Sequence, residues 1–541
     1  MSGNRILFRN IKLPYDQPAD EAIDIAVRKA AKLGIKAGSF DARIAKRSVD
    51  ARKSAKNPEG KPHFIYSVSV PCEKYPDAKL LERADAAKVS GGELTVEYGR
   101  ESLLERPVIV GFGPCGMFAA LELAKNGYRP IVLERGADVS DRRAAVDRFY
   151  ATGVLEESNI QFGAGGAGTF SDGKLVTRIN DPKCAYVLDT LYELGAPEEI
   201  LYNAKPHVGT DKLLDVVQNA ADKICELGGE ILYNTRLDDI RIENGRVKSV
   251  KLSTGRELEC SVIILAIGHS ARDTYNMLFE RGTSMAAKPF SVGVRVEHFQ
   301  KSVDESLYGS FAGDARLPKG EYALSRRENG RAVYTFCMCP GGEVVAAASE
   351  EGGVVTNGMS RFARDGVNAN AALAVSVEPE DYGNTPMKAI ELQRMLERAA
   401  YKVGGGGYKA PVETVGDFLD KKSHGLSAPC DIIPTYMDSK YTVAPLDTVL
   451  PDYVCDMLRL GITDFSRKMR CFGEKSAVLT GVETRTSAPL RILRNEEYTA
   501  LGIQNMYPAG EGAGYAGGIT SAAVDGINTA LAVMKKYSPL D

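Results

Sequence analysis

The sequence predicts an α/β protein: a Rossmann-like nucleotide-binding domain with an inserted, mainly antiparallel β domain, preceded by a small α+β module. Three observations predict it. A strand, glycine turn, helix and second strand follow one another from Pro107. Two further strands, near residues 261 and 504, also run into glycines. The first 70 or so residues carry a helix-and-strand pattern of their own, set apart by a polar stretch. At 541 residues the chain is about 3.6 times the usual length of one domain, so several domains are expected. The boundaries read as a module over 1–100, the first part of the nucleotide domain over 101–282, a substrate or cap domain over 283–501, and a return to the nucleotide domain over 502–541.

Composition narrows the function classes. Charged residues make up 26% and hydrophobic ones 44%, with 68 basic against 71 acidic side chains. That is the balance of a soluble globular protein and disfavours a basic nucleic-acid binder. No apolar run approaches the roughly 18 residues of a membrane helix, and the first residues lack the apolar core of a secretory signal, so a cytoplasmic protein without membrane contact is expected. The ten cysteines show no CxxC and the five histidines (63, 207, 269, 298 and 424) no HExxH, so no metal is expected. Glycine is in excess, with 54 residues gathered in short clusters that suit phosphate-binding turns.

In the module, residues 5–13 read as extended. Residues 18–33 read as a helix with Asp16 as cap, Pro18 in its first turn and Gly34 as its stop. Residues 39–49 and 63–70 read as strands, the second alternating Phe64, Tyr66, Val68 and Val70. Residues 41–61 hold seven Lys or Arg against three acids. This basic patch reads either as a solvated hairpin or as a dock for RNA or an acidic partner through Arg43, Lys46, Arg47, Arg52 and Lys53. Residues 73–105 read as polar and irregular except for 93–98.

Val108 to Val110 is a short apolar strand, and Gly111, Gly113 and Gly116 form G-x-G-x-x-G at its end, with Pro114 and Cys115 between the glycines. Gly111 suits the tight turn, Gly113 a close pyrophosphate, and Gly116 close packing of helix and strand, with the helix N-terminus facing the phosphates. Glu134, about 20 residues on, closes the second strand where a ribose diol would donate to it, and Arg135 follows. NAD and FAD share this pattern. An NAD enzyme would continue into more βα units, whereas this chain leaves at Gly136 and returns through Ala266 and Gly268, then through residues 504–523. Three returns to one sheet favour FAD.

These motifs resemble the glutathione-reductase-type FAD flavoproteins. More closely, the loop Gln161-Phe-Gly-Ala-Gly-Gly-Ala-Gly-Thr-Phe-Ser-Asp-Gly-Lys-Leu, the tetrad Asn357-Gly-Met-Ser and the run Gly481-Val-Glu-Thr-Arg-Thr-Ser-Ala-Pro-Leu-Arg resemble a bacterial family of uncharacterised FAD-dependent or NAD(FAD)-utilising dehydrogenases, along the whole chain. The resemblance implies noncovalent FAD and dehydrogenase or reductase activity, with no settled substrate. It places Gly510 and Glu511 where such flavoproteins carry Gly-Asp, the acid meeting a ribityl hydroxyl. Gly517, Gly518 and Ile519 then fall at the N-terminus of the last helix, where the dipole stabilises charge on reduced flavin.

In the 163–174 loop, Gly166 and Gly173 would let backbone lie against a ring or a phosphate, and Phe170, Ser171 and Lys174 offer side chains. Catalytic residues are hardly legible. Lys174 could stabilise reduced flavin or neutralise phosphate, and His269 either approaches the cofactor or is a turn histidine satisfied by backbone. Arg485 and Arg491, with Arg494, either clamp a substrate carboxylate or form internal salt bridges. Cys115 reads either as a helix-start thiol of lowered pKa or as a small packing residue. Cys337 and Cys339 share one face of an apparent strand, too far apart along an extended chain to bridge easily, so no redox-active cysteine is expected. The glycine run 404–407 follows a helix (387–402), so no second nucleotide domain is expected, and NAD(P)H would dock transiently. Strands over 290–298, 321–324, 332–339 and 343–348 would form the sheet over the flavin. The leading reading is hydride transfer between FAD N5 and a small organic substrate. The alternatives are an FAD protein acting with RNA through its basic module and a non-catalytic flavoprotein scaffold.

Overall fold

The computed structural model describes residues 4–55, 57–89, 94–422 and 432–540; His424 and Cys430 lie outside them. Val108–Val110 is buried at every position, as a strand covered on both faces must be. It pairs in parallel with Ile131–Leu133 on one side and Ile263–Leu265 on the other. Glu230–Leu232, unforeseen in the sequence, and Met506–Pro508 complete a five-stranded parallel sheet. The helices Pro114–Lys125 and Ile519–Lys536 pack together on one face of this sheet. Their approach needs Gly526, where a Cβ would stand 2.2 Å from the Cys115 carbonyl oxygen.

The second large unit is a seven-stranded sheet in the order Ser325–Glu328, Arg331–Cys339, Asn368–Val377, Phe290–Phe299, Val478–Glu483, Ala410–Thr414, Tyr441–Val443. Neighbours run antiparallel except the last pair. Its apolar face packs with the helices Pro386–Val403 and Asp452–Ser466 into the largest core. Two expectations change. Residues 321–324 form no strand, and Gly342–Ala346 leaves the sheet to pair only with Thr356–Ser360.

The N-terminal sheet runs Arg43–Asp50, His63–Pro71, Arg5–Pro14, Ala86–Lys88, with the helix Asp20–Lys32 packed on it. Asp16 does not cap that helix. It pairs with Lys61 at 3.1 Å, and the helix starts without a side-chain cap. The stretch 73–105 is less irregular than its composition suggests, because Ala78–Arg83 is a helix capped by Asp77 and Ala86–Lys88 is the edge strand. Glu93 lies outside the described residues, and 94–98 form no strand. Gly99 instead runs against the last helix, its N–H donating to the Met534 carbonyl at 2.8 Å. Arg47 docks the module on the nucleotide domain through Asn203 Oδ1 at 3.0 Å, with its guanidinium over Tyr202. Tyr15 reaches Asp314 at 3.1 Å on the other side. Arg52 is held by Asp50 at 2.8 Å, so two of the five basic side chains are engaged within the chain. Among the described residues no helix is long and apolar enough to cross a membrane.

Candidate functional site

A cleft of about 1770 Å³, counted with its open mouth, lies between the carboxyl edge of the parallel sheet and the seven-stranded sheet. The carboxyl edge is where open α/β sheets bind ligands.

The first wall is the glycine turn. Gly111 sits at φ +101°, and a Cβ there would lie 2.3 Å from the Ala266 carbonyl oxygen. A Cβ on Gly116 would lie 1.9 Å from the Gly111 carbonyl oxygen, so Gly116 permits the helix to leave the strand. Gly113 and Pro114 border the cleft at the helix start, and Gly166 approaches Gly113 from the opposite loop. Glu134 is buried beside them and accepts from Phe112 N (2.9 Å), Gly136 N (2.9 Å) and Gly163 N (2.8 Å). It therefore ties turn, strand end and loop together, with carboxylate lone-pair capacity left over. Arg135 borders the cleft too, but Asp273 binds it through two 2.9 Å contacts and Glu157 through one of 2.7 Å.

The 161–174 loop is held by a residue that no local sequence pattern singles out. Arg142 is buried and donates to the carbonyls of Asn159, Ile160, Gly163 and Ala164. Phe170 is a correction. The tight turn Gly166–Phe170 sends its ring inward beside Val146 and Ile160, under the Arg142 guanidinium and away from the cleft. Ser171 and Gly173 do border it, with the Ser171 hydroxyl already donating to the Gly168 carbonyl at 2.6 Å. Lys174 borders it as well, its ammonium bound to the Met338 carbonyl and paired with Glu321 at 3.2 Å. Burial works against that charge, but Glu321 and Asp172 outweigh it and raise the Lys174 pKa.

Ala266, Gly268 and His269 come from the strand end at the floor. His269 is buried, and its Nε2 meets no hydrogen-bond partner among the described residues. Burial, then Arg485 and Arg272, push its pKa down to about 3. Its Nδ1 lies 3.8 Å from Glu511, whose half-buried carboxyl is pushed up to about 7 by desolvation. Gly517, Gly518 and Ile519 open the last helix into the cleft, and a Cβ on either glycine would meet only open space. Gly510 does not border the cleft. Its N–H donates to Asp525 at 2.7 Å, and a Cβ would strike Cys115. Cys115 borders the cleft, but burial first and then Asp525 raise its thiol well above the usual range, so desolvation defeats the helix-start effect.

Two ionic clusters close the site. Glu397, completely buried, accepts from Arg272 at 2.7 Å and from Arg485 at 3.0 Å, and despite burial these two cations hold its carboxyl well below the usual range. Arg485 borders the cleft with its donors spent on Glu397, Ser270 and Ser349. Arg491 lies outside the cleft, donating to the Gly514 carbonyl at 3.3 Å and covering Tyr515. On the facing sheet, Arg295 is wholly buried and binds Glu483 at 3.0 Å, Asn370 at 2.7 Å, Asn357 at 2.9 Å and the Cys337 carbonyl at 3.1 Å. Cys337, Asn357 and Glu483 border the cleft there. Among the described residues no cluster of His, Cys, Asp or Glu has a metal-binding arrangement.

These residues fit a dinucleotide with a flat ring. The glycine turn and helix start present backbone donors, Glu134 keeps acceptor capacity beside them, and Gly517 and Gly518 leave a bare surface at the other end. Residues 289–486 match the model of the family described as "FAD-dependent protein, C-terminal domain-like". A chain of Clostridium beijerinckii, described only as an uncharacterized protein, is 48% identical over 503 residues, covering 91% of this chain and 92% of that one. Protein FixC of Salmonella typhi is 25% identical over 320 residues, 57% of this chain and 67% of FixC. The crystal structure of L-proline dehydrogenase from P. horikoshii aligns with a TM-score of 0.31 at 13% identity, covering 81% of this chain and 92% of that one. Fold, site and family together define the class, FAD-dependent oxidoreductases. Within it, the chain belongs to one family with the C. beijerinckii protein, and its residues 289–486 carry the domain described for FAD-dependent proteins.

Proposed function

We propose that the protein binds one FAD noncovalently along this cleft, in the manner of the glutathione-reductase-type flavoproteins. It would pass a hydride between flavin N5 and a small organic substrate held under the seven-stranded sheet, with NAD(P)H docking transiently as donor. Residues 101–282 and 502–541 would hold the cofactor and 283–501 cover it, in a cytoplasmic protein. The observation that carries the reading is the convergence of three distant glycine segments, at 111–116, 266–268 and 517–518, on one cleft. Bound FAD supplies a two-electron acceptor at N5. The chain's own groups do the rest. The amides at the start of Pro114–Lys125 receive the pyrophosphate, and Glu134 spends its remaining lone pair on a ribose hydroxyl. The start of Ile519–Lys536 offers positive dipole to the charge that develops at the flavin's pyrimidine end. Glu511 holds a proton at its carboxyl near neutrality beside His269, which stays neutral.

The test is purification followed by release of the chromophore. One FAD per chain, bleached in stopped flow by NADH or NADPH, supports the reading; a colourless protein whose extract contains NAD overturns it.

A further inference from the structure

Cys337 and Cys339 sit in Phe336-Cys-Met-Cys-Pro at the end of the strand Arg331–Cys339. An extended C-x-C puts both sulfurs on one face but too far apart to join. The chain is not extended here. Its pairing with Asn368–Val377 loses register between Phe336 and Cys339, and Cys337 stands at φ +44°. A non-glycine residue in that region is strained and persists only where its surroundings impose it. The surroundings are visible. Arg295 Nη1 donates to the Cys337 carbonyl at 3.1 Å. Gly358 makes room for that guanidinium, since a Cβ there would lie 2.3 Å from Nη1.

The bulge puts Cys337 on the cleft wall, which Lys174 and Asn357 also line, and leaves Cys339 buried. The Cys339 thiol donates to the Cys337 carbonyl oxygen at 3.4 Å, so the bulge folds the two cysteines back on one another. The neighbouring Cys339 thiol, and then Arg295 and Lys174, outweigh the cost of burial and hold Cys337 below the ordinary thiol range. Cys339 is driven the other way by the same contact. The cleft-facing sulfur is thus the thiolate and the buried one keeps its proton, the division of labour that thiol–disulfide chemistry needs. Cys115, Cys260, Cys455 and Cys471, by contrast, are simply buried thiols of raised pKa.

We propose that Cys337 and Cys339 form a redox-active dithiol–disulfide pair that exchanges an electron pair with the FAD bound in the cleft, Cys337 being the flavin-facing member. The proposal rests on the cofactor reading above. In the oxidising direction one S–S bond forms and the Cys339 S–H bond breaks. The electron pair and that proton pass to the oxidised flavin, so that thiolate, thiol and FAD give disulfide and FADH⁻. The reverse step opens the disulfide at the expense of flavin reduced by a nicotinamide donor.

Anaerobic dithionite titration of the full-length protein, after its FAD content has been measured, tests the pair. The wild type is expected to take up four electrons per FAD, and Cys337→Ser and Cys339→Ser two each. Independently of the flavin, alkylation of the air-oxidised, denatured wild type followed by peptide mass mapping is expected to leave both cysteines unmodified in a peptide lighter by two hydrogens. Should either variant fail to fold, the wild-type electron count and peptide map decide alone. FAD present with uptake of two electrons and both cysteines alkylated overturns the pair and leaves the cofactor reading standing. Absence of FAD overturns both.

Discussion

Arg295 Nη1 donates to the carbonyl of Cys337 across a 3.1 Å contact and also to Asn370, while its other two nitrogens hold Glu483 and Asn357, in a side chain with no exposed surface. One buried cation from the strand Phe290–Phe299 therefore fixes the backbone of the neighbouring bulge and neutralises an acid at the cleft wall. Replacing it with methionine removes the only ion pair of Glu483 among the described residues and leaves it the Thr356 hydroxyl alone. Removing one member of a buried pair costs about 3–5 kcal/mol, and denaturant unfolding should show a loss of that size. Arg295→Lys should fall between, because an ammonium cannot serve all four acceptors. The thiolate of Cys337 also loses a stabilising charge in Arg295→Met, so the midpoint pH for its alkylation should rise.

Gly116 tests the glycine turn. A methyl group there would sit 1.9 Å from the Gly111 carbonyl oxygen, a backbone atom that cannot swing aside. Gly116→Ala should force the helix Pro114–Lys125 off the strand, at about 1–3 kcal/mol for overpacking or more. FAD retained through gel filtration should drop with it. A Cβ on Gly517 meets open space, so Gly517→Ala should keep its stability and lose only cofactor affinity.

The fingerprint was legible because each of its glycines has a backbone reason that spacing alone encodes, and the three strands that converge on it are apolar runs ending in such turns. Spacing does not say which way a neighbouring side chain points. Phe170 and Arg491 were therefore assigned to the cleft and lie off it, and Gly510 proved to serve packing against Cys115. Asn368–Val377, the strand between Arg331–Cys339 and Phe290–Phe299 in the large sheet, goes unread in the sequence because four of its ten residues are alanine, which reads as helix. The Arg295–Cys337 contact was out of reach for a different reason. It depends on a left-handed cysteine and a register break, both imposed by tertiary surroundings that no local pattern announces.

The N-terminal module meets the rest of the chain through Arg47 at Asn203 and Tyr15 at Asp314, whereas Gly99 and Glu101 follow the last helix. The strap over 99–101 thus supports the helix whose N-terminus faces the cleft. Deleting residues 1–89 should leave FAD content unchanged. Deleting residues 1–105 should reduce it, as read by the ratio of flavin to protein absorbance.

Histidine and glutamate give the stability profile opposite slopes. His298 has no exposed surface and is packed between Tyr322 and Phe472, and burial pushes its pKa down to about 3 from the ordinary value near 6.5. A neutral ring is preferred in the folded state. Its contribution is therefore complete above pH 6.5 and is lost as the pH falls towards 3. At pH 5 the loss is about 2 kcal/mol, 1.5 pH units at 1.36 kcal/mol each. Glu511, raised to about 7, behaves conversely. The folded state prefers its protonated form, so its contribution is complete below pH 4.5 and declines as the pH rises through 7. Between pH 4.5 and 6.5 the two partly cancel in the wild type. His298→Phe removes the first slope, and the gap in unfolding free energy between variant and wild type should move in the variant's favour by about 2 kcal/mol from pH 7 to pH 5. Glu511→Gln removes the second, so its gap should move in the variant's favour as the pH is raised from 5 to 8. Parallel denaturation series at these pH values measure both, and a gap that stays constant with pH in either variant would show that the residue does not titrate as its burial dictates.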